Sequence, residues 1–238
     1  MIADAQGGAI VEQLVSFVEP GSPAADRYRG LRYSLEGLRR EAGQPVVAVT
    51  SPTSGDGKTV TVLNLAGAFA QAPGARVLVV DADLRKPSVA AYLGLRSGRS
   101  TDLSRALRSG VCTLDTVVER IDALNLSVAA SSHPEPTPCE LLNSAGLATL
   151  IRDARREFDC VLIDTPPALL PDCRVIERWV DGFVVIVTAH KTPRRLLAEA
   201  LNEIDREKIL GVIFNGDDHT LDRYYGYYGY GASQQRRS

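Results

Sequence analysis

The fold of this 238-residue chain is decided by the stretch Val47-Ala-Val-Thr-Ser-Pro-Thr-Ser-Gly-Asp-Gly-Lys-Thr-Val60. It begins as a run of apolar, mostly β-branched residues, passes through a loop with two glycines, and ends in residues without a helix breaker. Gly55 and Gly57 let the loop turn without clashes from a Cβ, so that successive N–H groups can point inward. This order of strand, loop and helix predicts a phosphate-binding loop.

The end of the loop carries the side chains that a nucleotide site needs. A helix predicted from about Lys58 offers unpaired N–H groups and the positive end of its dipole. Lys58 would reach the β- and γ-phosphates, and the Thr59 hydroxyl would bind Mg²⁺. Pro52 replaces the first glycine of the pattern G-x-x-x-x-G-K-[ST], and a chance Gly-Lys-Thr in a loop is the plainer interpretation. The candidate nucleotide-binding residues are Thr53, Ser54, Gly55, Asp56, Gly57, Lys58, Thr59 and Val60.

Length and composition suit one α/β domain with a full core, since 45% of the residues are hydrophobic and 24% are charged. The net charge of −2 gives no global basic field, so nucleic acid is not an expected partner. The four cysteines show no C-x-x-C spacing and are expected to be reduced thiols. Neither a membrane span nor a signal peptide is recognised, and we expect a cytoplasmic protein.

Beyond Pro45, short β-branched runs alternate with helical segments, which predicts a doubly wound, mostly parallel α/β sheet. The main α/β domain is predicted over 22–218, after an N-terminal arm at 1–21 and before a disordered tyrosine-rich tail at 219–238. Besides the helix from Lys58, helices are predicted at 23–40 and 193–206. The predicted strands are 46–50, 76–80, 125–129, 160–163, 183–188 and 209–214.

Three carboxylates stand where predicted strands end, and doubly wound sheets place their ligands at strand C-terminal ends. Asp81 and Asp83 are two residues apart, so in extended backbone they face the same side and can converge on one cation. Asp164 suits the carboxylate that holds Mg²⁺ through water. Each Asp alone is more simply interpreted as a residue that forms a turn. Because all three follow a phosphate-binding loop in the chain, together they predict a functional site.

Asn215 ends the last predicted strand and is a candidate contact for the nucleotide base. A simple strand terminator is the alternative interpretation. The guanine-reading pattern Asn-Lys-x-Asp, known from other nucleotide-binding families, does not follow the later strands. Adenine is therefore the expected base, and ATP with Mg²⁺ the expected cofactors.

The segments 51–59, 78–87 and 158–167 resemble the P-loop and the two acidic motifs of the bacterial tyrosine kinases of capsular and exopolysaccharide biosynthesis. The resemblance covers most of residues 22–218 and implies a cytoplasmic P-loop kinase domain with a MinD/ParA-like fold. It implies that Asp81 is the base or orienter for a tyrosine hydroxyl and shares catalysis with Lys58 and Asp83. By the same resemblance, Asp83 and Asp164 join Thr59 in the Mg²⁺ shell.

The resemblance further implies an autokinase that acts in trans on its own C-terminal tyrosines and regulates polysaccharide polymerisation or export. It implies a membrane activator, a cognate tyrosine phosphatase, and a position at the inner face of the plasma membrane through that activator. The candidate phosphoacceptors are Tyr224, Tyr225, Tyr227, Tyr228 and Tyr230.

The family's helix motif E-x-x-R-x-x-R, implied to hold protomers in a ring, appears here as Asp26-x-x-Arg29-x-x-Arg32. The acid is one methylene shorter than in the family. A homo-oligomer such as a ring is implied, and a solvated basic face is the plainer interpretation of the same residues.

Two other functions are consistent with the fold. A MinD/ParA-type ATPase switch would hydrolyse ATP without kinase activity, but the loop of that class carries a second lysine where this chain has Thr53. A regulatory binding module would keep the fold without catalysis, although Lys58 and all three acids are present.

Overall fold

The structure, a computed structural model, describes residues 10–37, 44–95 and 101–216. These residues form one seven-stranded sheet in the order β3-β4-β2-β5-β1-β6-β7. Its strands are β1 (Val46–Thr50), β2 (Val77–Asp81), β3 (Val118–Ile121), β4 (Leu126–Ala129), β5 (Cys160–Asp164), β6 (Gly182–Thr188) and β7 (Ile209–Asn215).

Ten α-helices of the described residues connect and flank these strands. Two short 3₁₀ turns, Asp122–Leu124 and Arg206–Lys208, precede β4 and β7. The helices are α1 (Val15–Val18), α2 (Pro23–Glu36), α3 (Lys58–Ala70), α4 (Val89–Tyr92), α5 (Leu103–Ser109), α6 (Leu114–Val117), α7 (Pro138–Leu142), α8 (Ala145–Glu157), α9 (Pro171–Ile176) and α10 (Arg194–Glu203).

The predicted doubly wound sheet is confirmed. Every pairing is parallel except β3 with β4, which is antiparallel. All six predicted strands are present, with ends that differ by no more than one residue. The sequence reading missed β3, because two of its four residues are charged and its burial is partial.

Apolar residues fill both faces of the sheet, as its parallel strands require. In β1, Val46 and Ala48 belong to one core, whereas Val47 and Val49 belong to the other. The first core packs under α5 to α10, and the second lies under α1 to α4. This alternation buries β1 between the two cores, next to the central strand β5, and fixes where the loop after it emerges.

The helices near the predicted phosphate-binding loop also agree in kind with the sequence. Helix α3 is buried almost all round. Ser22 caps α2 by accepting a hydrogen bond from the Ala25 N–H. That helix ends at Glu36, and residues 38–43 lie outside the described part. Helix α10 is shorter than predicted. No helix within the described ranges is long and apolar enough to cross a bilayer.

Candidate functional site

The loop between β1 and α3 has the backbone that phosphate binding requires. Gly55 has φ +87° and Gly57 has φ +91°, a region that residues with a Cβ rarely adopt. Gly57 is the N-cap of α3, so the free N–H groups of that helix face the loop. A Cβ on Gly57 would collide with the Asn215 amide. Both glycines are therefore required where the sequence has them.

The loop forms one wall of a cleft of about 470 Å³ at the C-terminal edge of the sheet. Seven residues predicted for the site line this cleft: Ser54, Gly55, Gly57, Lys58, Thr59, Val60 and Asp83. The sequence reading missed Lys86, Ser88, Tyr92 and Pro134, which also line it. For Lys86 and Ser88 the signal was the Arg-Lys-Pro-Ser run at 85–88, which brings the chain back to Thr59.

Thr59, which lines the cleft, contacts the buried Asp164. The Thr59 hydroxyl lies 2.6 Å from Asp164 Oδ2 and 2.9 Å from the Ser88 hydroxyl. Asp164 is fully buried at the end of β5. Its other oxygen, Oδ1, has no hydrogen-bond partner among the described residues.

Asp81 stands directly opposite Asp164 in the register of β2 and β5. Its Oδ2 accepts hydrogen bonds from the Ser88 N–H at 2.9 Å and the Val89 N–H at 3.0 Å. The Asp81 side chain is fully buried, and its Oδ1 likewise lacks a partner within the described ranges. Two acids with one unpaired oxygen each thus lie side by side at the centre of the sheet.

Burial shifts the protonation of all three acids. It raises the pKa of Asp164 to about 7, against the opposing effects of the Thr59 hydrogen bond and the Lys58 charge. Burial, together with the charge of Asp164, holds the pKa of Asp81 well above its usual range. Burial also raises the pKa of Asp83, although Lys58 counteracts it. A cation in the site would favour the charged forms.

These residues fit a Mg²⁺ ion that is brought in with a nucleotide. The Thr59 hydroxyl and the unpaired oxygen of Asp164 are hard oxygen donors. Among residues 10–37, 44–95 and 101–216, no group of three His, Cys, Asp or Glu side chains could hold a metal by itself. Mg²⁺ in nucleotide sites takes one or two protein ligands and completes its shell with phosphate and water.

Asp83 is the acid that the cleft exposes. Its Oδ1 accepts a hydrogen bond from the Lys86 N–H at 3.1 Å, and its side chain is half-buried. Asp81, by contrast, does not line the cleft. A base must come within about 3.2 Å of the hydroxyl that it deprotonates. The predicted role of Asp81 as a base therefore requires the acceptor hydroxyl to reach this buried side chain.

The Asp56 carboxylate points away from the cleft. Its Oδ2 accepts hydrogen bonds from the N–H and hydroxyl of Thr53 at 3.0 and 2.7 Å. Its Oδ1 accepts from the Thr188 hydroxyl at 3.0 Å and the Thr192 hydroxyl at 2.8 Å. Burial alone would raise the pKa of Asp56, but these hydrogen bonds lower it. Asp56 and Thr53 can thus contact a nucleotide through backbone groups only.

Asn215 reaches the same loop from the end of β7. Its Nδ2 donates to the Asp56 carbonyl oxygen at 3.1 Å. The side chain therefore braces the phosphate-binding loop, and its contact with a base stays a prediction.

The motif of α2 is engaged within the chain. Arg29 pairs with Asp26 and donates to the Pro20 carbonyl oxygen at 2.6 Å. Arg32 donates to the Ala68 carbonyl oxygen near the end of α3 at 3.0 Å. The Arg32 contact holds α2 on α3, and a role of the motif between protomers stays a prediction. The five candidate phosphoacceptors, and the predicted tail that carries them, lie outside the described residues.

Comparison with known families and proteins identifies the kind of domain that this geometry belongs to. The family model described as "CobQ/CobB/MinD/ParA nucleotide binding domain" matches residues 47–220. The Tyrosine-protein kinase YwqD of Bacillus subtilis (strain 168) is 32% identical over 229 residues, which are 94% of this chain and 94% of that protein.

Two solved structures share the fold and part of the sequence. The kinase domain of Escherichia coli tyrosine kinase ETK superposes with a TM-score of 0.78 at 26% identity, covering 85% of this chain and 79% of that one. The chimerical protein CapA2B2 superposes with a TM-score of 0.77 at 28% identity, covering 87% of this chain and 92% of the other.

Proposed function

Since the chain belongs to the bacterial tyrosine kinases, we propose that it uses Mg²⁺ and ATP to phosphorylate the tyrosine cluster near its own C-terminus, in trans between copies. The observation that carries this proposal is the pairing of Thr59 with Asp164 beside the loop of Lys58. Together they would provide a cation site next to a phosphate site. The proposed acceptors are Tyr224, Tyr225, Tyr227, Tyr228 and Tyr230.

Proteins catalyse phosphoryl transfer mainly by positioning the reactants and stabilising the charge of the transition state. The N–H groups of the Gly55–Gly57 loop and the α3 N-terminus would hold the phosphate oxygens. The Lys58 ammonium would stabilise charge on the β- and γ-phosphates. A Mg²⁺ ion held near Thr59 and Asp164 would neutralise negative charge that develops on the phosphates.

The acceptor hydroxyl would enter from the open side of the cleft, where Asp83 and Lys86 form the wall. In the proposed division of roles, Asp81 orients or deprotonates the hydroxyl, while Asp83 and Asp164 organise the metal shell. The unpaired Oδ1 of Asp81 supports such a role, because it is an acceptor not used by the fold.

We extend the proposal to the partners and setting that the family resemblance implies. A membrane activator would order the site and place the chain at the inner face of the plasma membrane, and a cognate tyrosine phosphatase would reverse the modification. Several phosphates, each adding about −1.5 to −2 charges, would repel one another and Asp217, Asp218 and Asp222. Phosphorylation would then dissolve a ring that the α2 motif holds together and thereby regulate polysaccharide polymerisation or export.

The test is the intact mass of the chain after incubation with Mg²⁺-ATP, with and without a cytoplasmic fragment of a co-encoded membrane protein. We expect added phosphates that map to residues 224–230, and more of them with the fragment. Lys58→Met should add none. ATP hydrolysis without phosphotyrosine would favour a MinD/ParA-type switch, and phosphate outside the cluster would overturn the acceptor assignment.

A further inference from the structure

The turn between β6 and α10, residues 188–192, lies against the phosphate-binding loop. It is a compact turn: the Thr188 N–H donates to the Thr192 hydroxyl at 2.9 Å, and the Thr192 N–H donates to the Thr188 carbonyl at 3.0 Å. His190 within it has φ +59°, a left-handed conformation that non-glycine residues adopt uncommonly. The turn thus has a defined shape of its own.

Asp56 joins this turn to the phosphate-binding loop. Its buried carboxylate receives two hydrogen bonds from Thr53 on its own loop and one each from Thr188 and Thr192 across the gap. All four donors are at hydrogen-bonding distance, and the carboxylate is 1% exposed. Hydrogen bonds to a buried charged group are the stronger ones, so the two loops are held in one relative position.

Lys191 lies inside the turn that Asp56 holds. Its Nζ is 3.8 Å from the position that a Cβ on Gly55 would occupy, so the ammonium lies in van der Waals range of Gly55. Lys191 is exposed, and within the described ranges no carboxylate lies in ion-pair distance of it. A lysine without an ion-pair partner among the described residues therefore stands beside Gly55, a residue that lines the cleft.

We propose that Lys191 is a second nucleotide-binding lysine, which contacts the phosphates together with Lys58. Asp56 is then a positioning residue that acts through Thr188 and Thr192. Gly55 lines the cleft and the Lys191 side chain is exposed beside it, so its ammonium would move over Gly55 to meet a phosphate oxygen. Such charge-assisted hydrogen bonds are strong. This inference rests on the proposed binding of ATP in the same cleft.

The first experiment measures ATP and ADP affinity by calorimetry in Mg²⁺ for the wild type, Lys191→Met and Lys191→Arg. Lys191→Met should bind both nucleotides about 10- to 100-fold more weakly, and Lys191→Arg should recover most of the loss. The control is Arg206→Met, which removes another exposed positive charge, just before the start of β7, and should bind as the wild type does. The salt dependence of binding should also be shallower in Lys191→Met.

The outcomes separate the inference from the proposed function. A wild type that binds no ATP would overturn the proposed function. A wild type that binds ATP, with Lys191→Met binding equally well, would overturn only the role of Lys191. A second measurement needs no variant: ATP should protect Lys191 of the wild type from acetylation, as read by peptide mass spectrometry. Equal labelling with and without ATP would contradict the contact.

The positioning role of Asp56 is tested by removing one of the hydroxyl groups that donate to its carboxylate. Thr192→Val removes one hydroxyl and should weaken ATP binding about three- to tenfold. In the Lys191→Met background the same change should have no further effect, because the turn then carries nothing to position. Additive losses in the double variant would show that Thr192 supports the loop for another reason.

Discussion

The Thr59 hydroxyl donates to Asp164 at 2.6 Å, which joins the first turn of α3 to the end of β5. These are the two groups that a nucleotide-bound Mg²⁺ would share, and the fold brings them together before any ligand enters. The hydrogen bond also partly offsets the effect of burial on the Asp164 pKa. The site is thus preformed but carries a protonatable acid at its centre.

Binding of Mg²⁺-ATP should therefore release a proton. Burial raises the Asp164 pKa from 3.8 to about 7, and the metal requires the carboxylate, so affinity should fall as the pH drops below about 7. Calorimetry in buffers of different ionisation enthalpy counts the proton. Asp164→Asn should bind weakly and release none. Affinity that is constant from about pH 5.5 to 8 would contradict the assignment.

Lys58→Met should abolish phosphoryl transfer, by at least about 100-fold, because the lost charge stabilises the β- and γ-phosphates. The fold should be retained, since the Lys58 side chain lines the cleft. Phosphotyrosine immunoblots measure the first effect and circular dichroism the second. Unchanged phosphotyrosine would remove Lys58 from the mechanism.

Asp81→Asn and Asp83→Asn should separate two roles. Asp83→Asn and Asp164→Asn should lose metal-dependent ATP affinity, whereas Asp81→Asn should keep more affinity and lose transfer. Calorimetry with and without Mg²⁺, run beside a transfer assay, distinguishes them. Equal losses of ATP affinity in all three would show that the division is wrong. Retained transfer in Asp81→Asn alone would move the acceptor contact to Asp83, the acid that lines the cleft.

Arg32→Ala should lower the free energy of unfolding by about 1–2 kcal/mol, because it removes the hydrogen bond to Ala68 and packing of α2 on α3. Arg195→Ala is the control, since its pair with Glu199 is exposed and should contribute less than about 1 kcal/mol. Urea unfolding measures both. Light scattering on the same samples measures the oligomeric state. Loss of the oligomer at unchanged stability would show that Arg32 acts between protomers only.

The sequence predicted those parts of the molecule that local patterns encode. Six strands carry apolar β-branched runs, and the phosphate-binding loop has its glycines at the two positions of positive φ. The missed strand β3, Val-Glu-Arg-Ile, has no such run and is recognisable only through its pairing with β4.

The orientation of the side chains in the site could not be predicted from local sequence patterns. Asp56 sits in the middle of the phosphate-binding pattern, yet its carboxylate turns toward threonines more than 130 residues further along the chain. Asp81 and Asp83 share a strand end, but hydrogen bonds from Ser88 and Val89 enclose only the first. Such orientations depend on partners that only the folded chain brings close.

The opposed positions of Asp81 and Asp164 imply a trade-off between stability and activity. Two acids buried side by side are each removed from water and repel one another when ionised, which lowers the stability of the ligand-free protein at neutral pH and above. The Asp81→Asn/Asp164→Asn double variant should therefore melt at least about 2–4 °C higher than the wild type at pH 8 without nucleotide. It should be inactive, and Mg²⁺-ATP should stabilise it less. Variants selected only for heat resistance would be expected to lose these acids first.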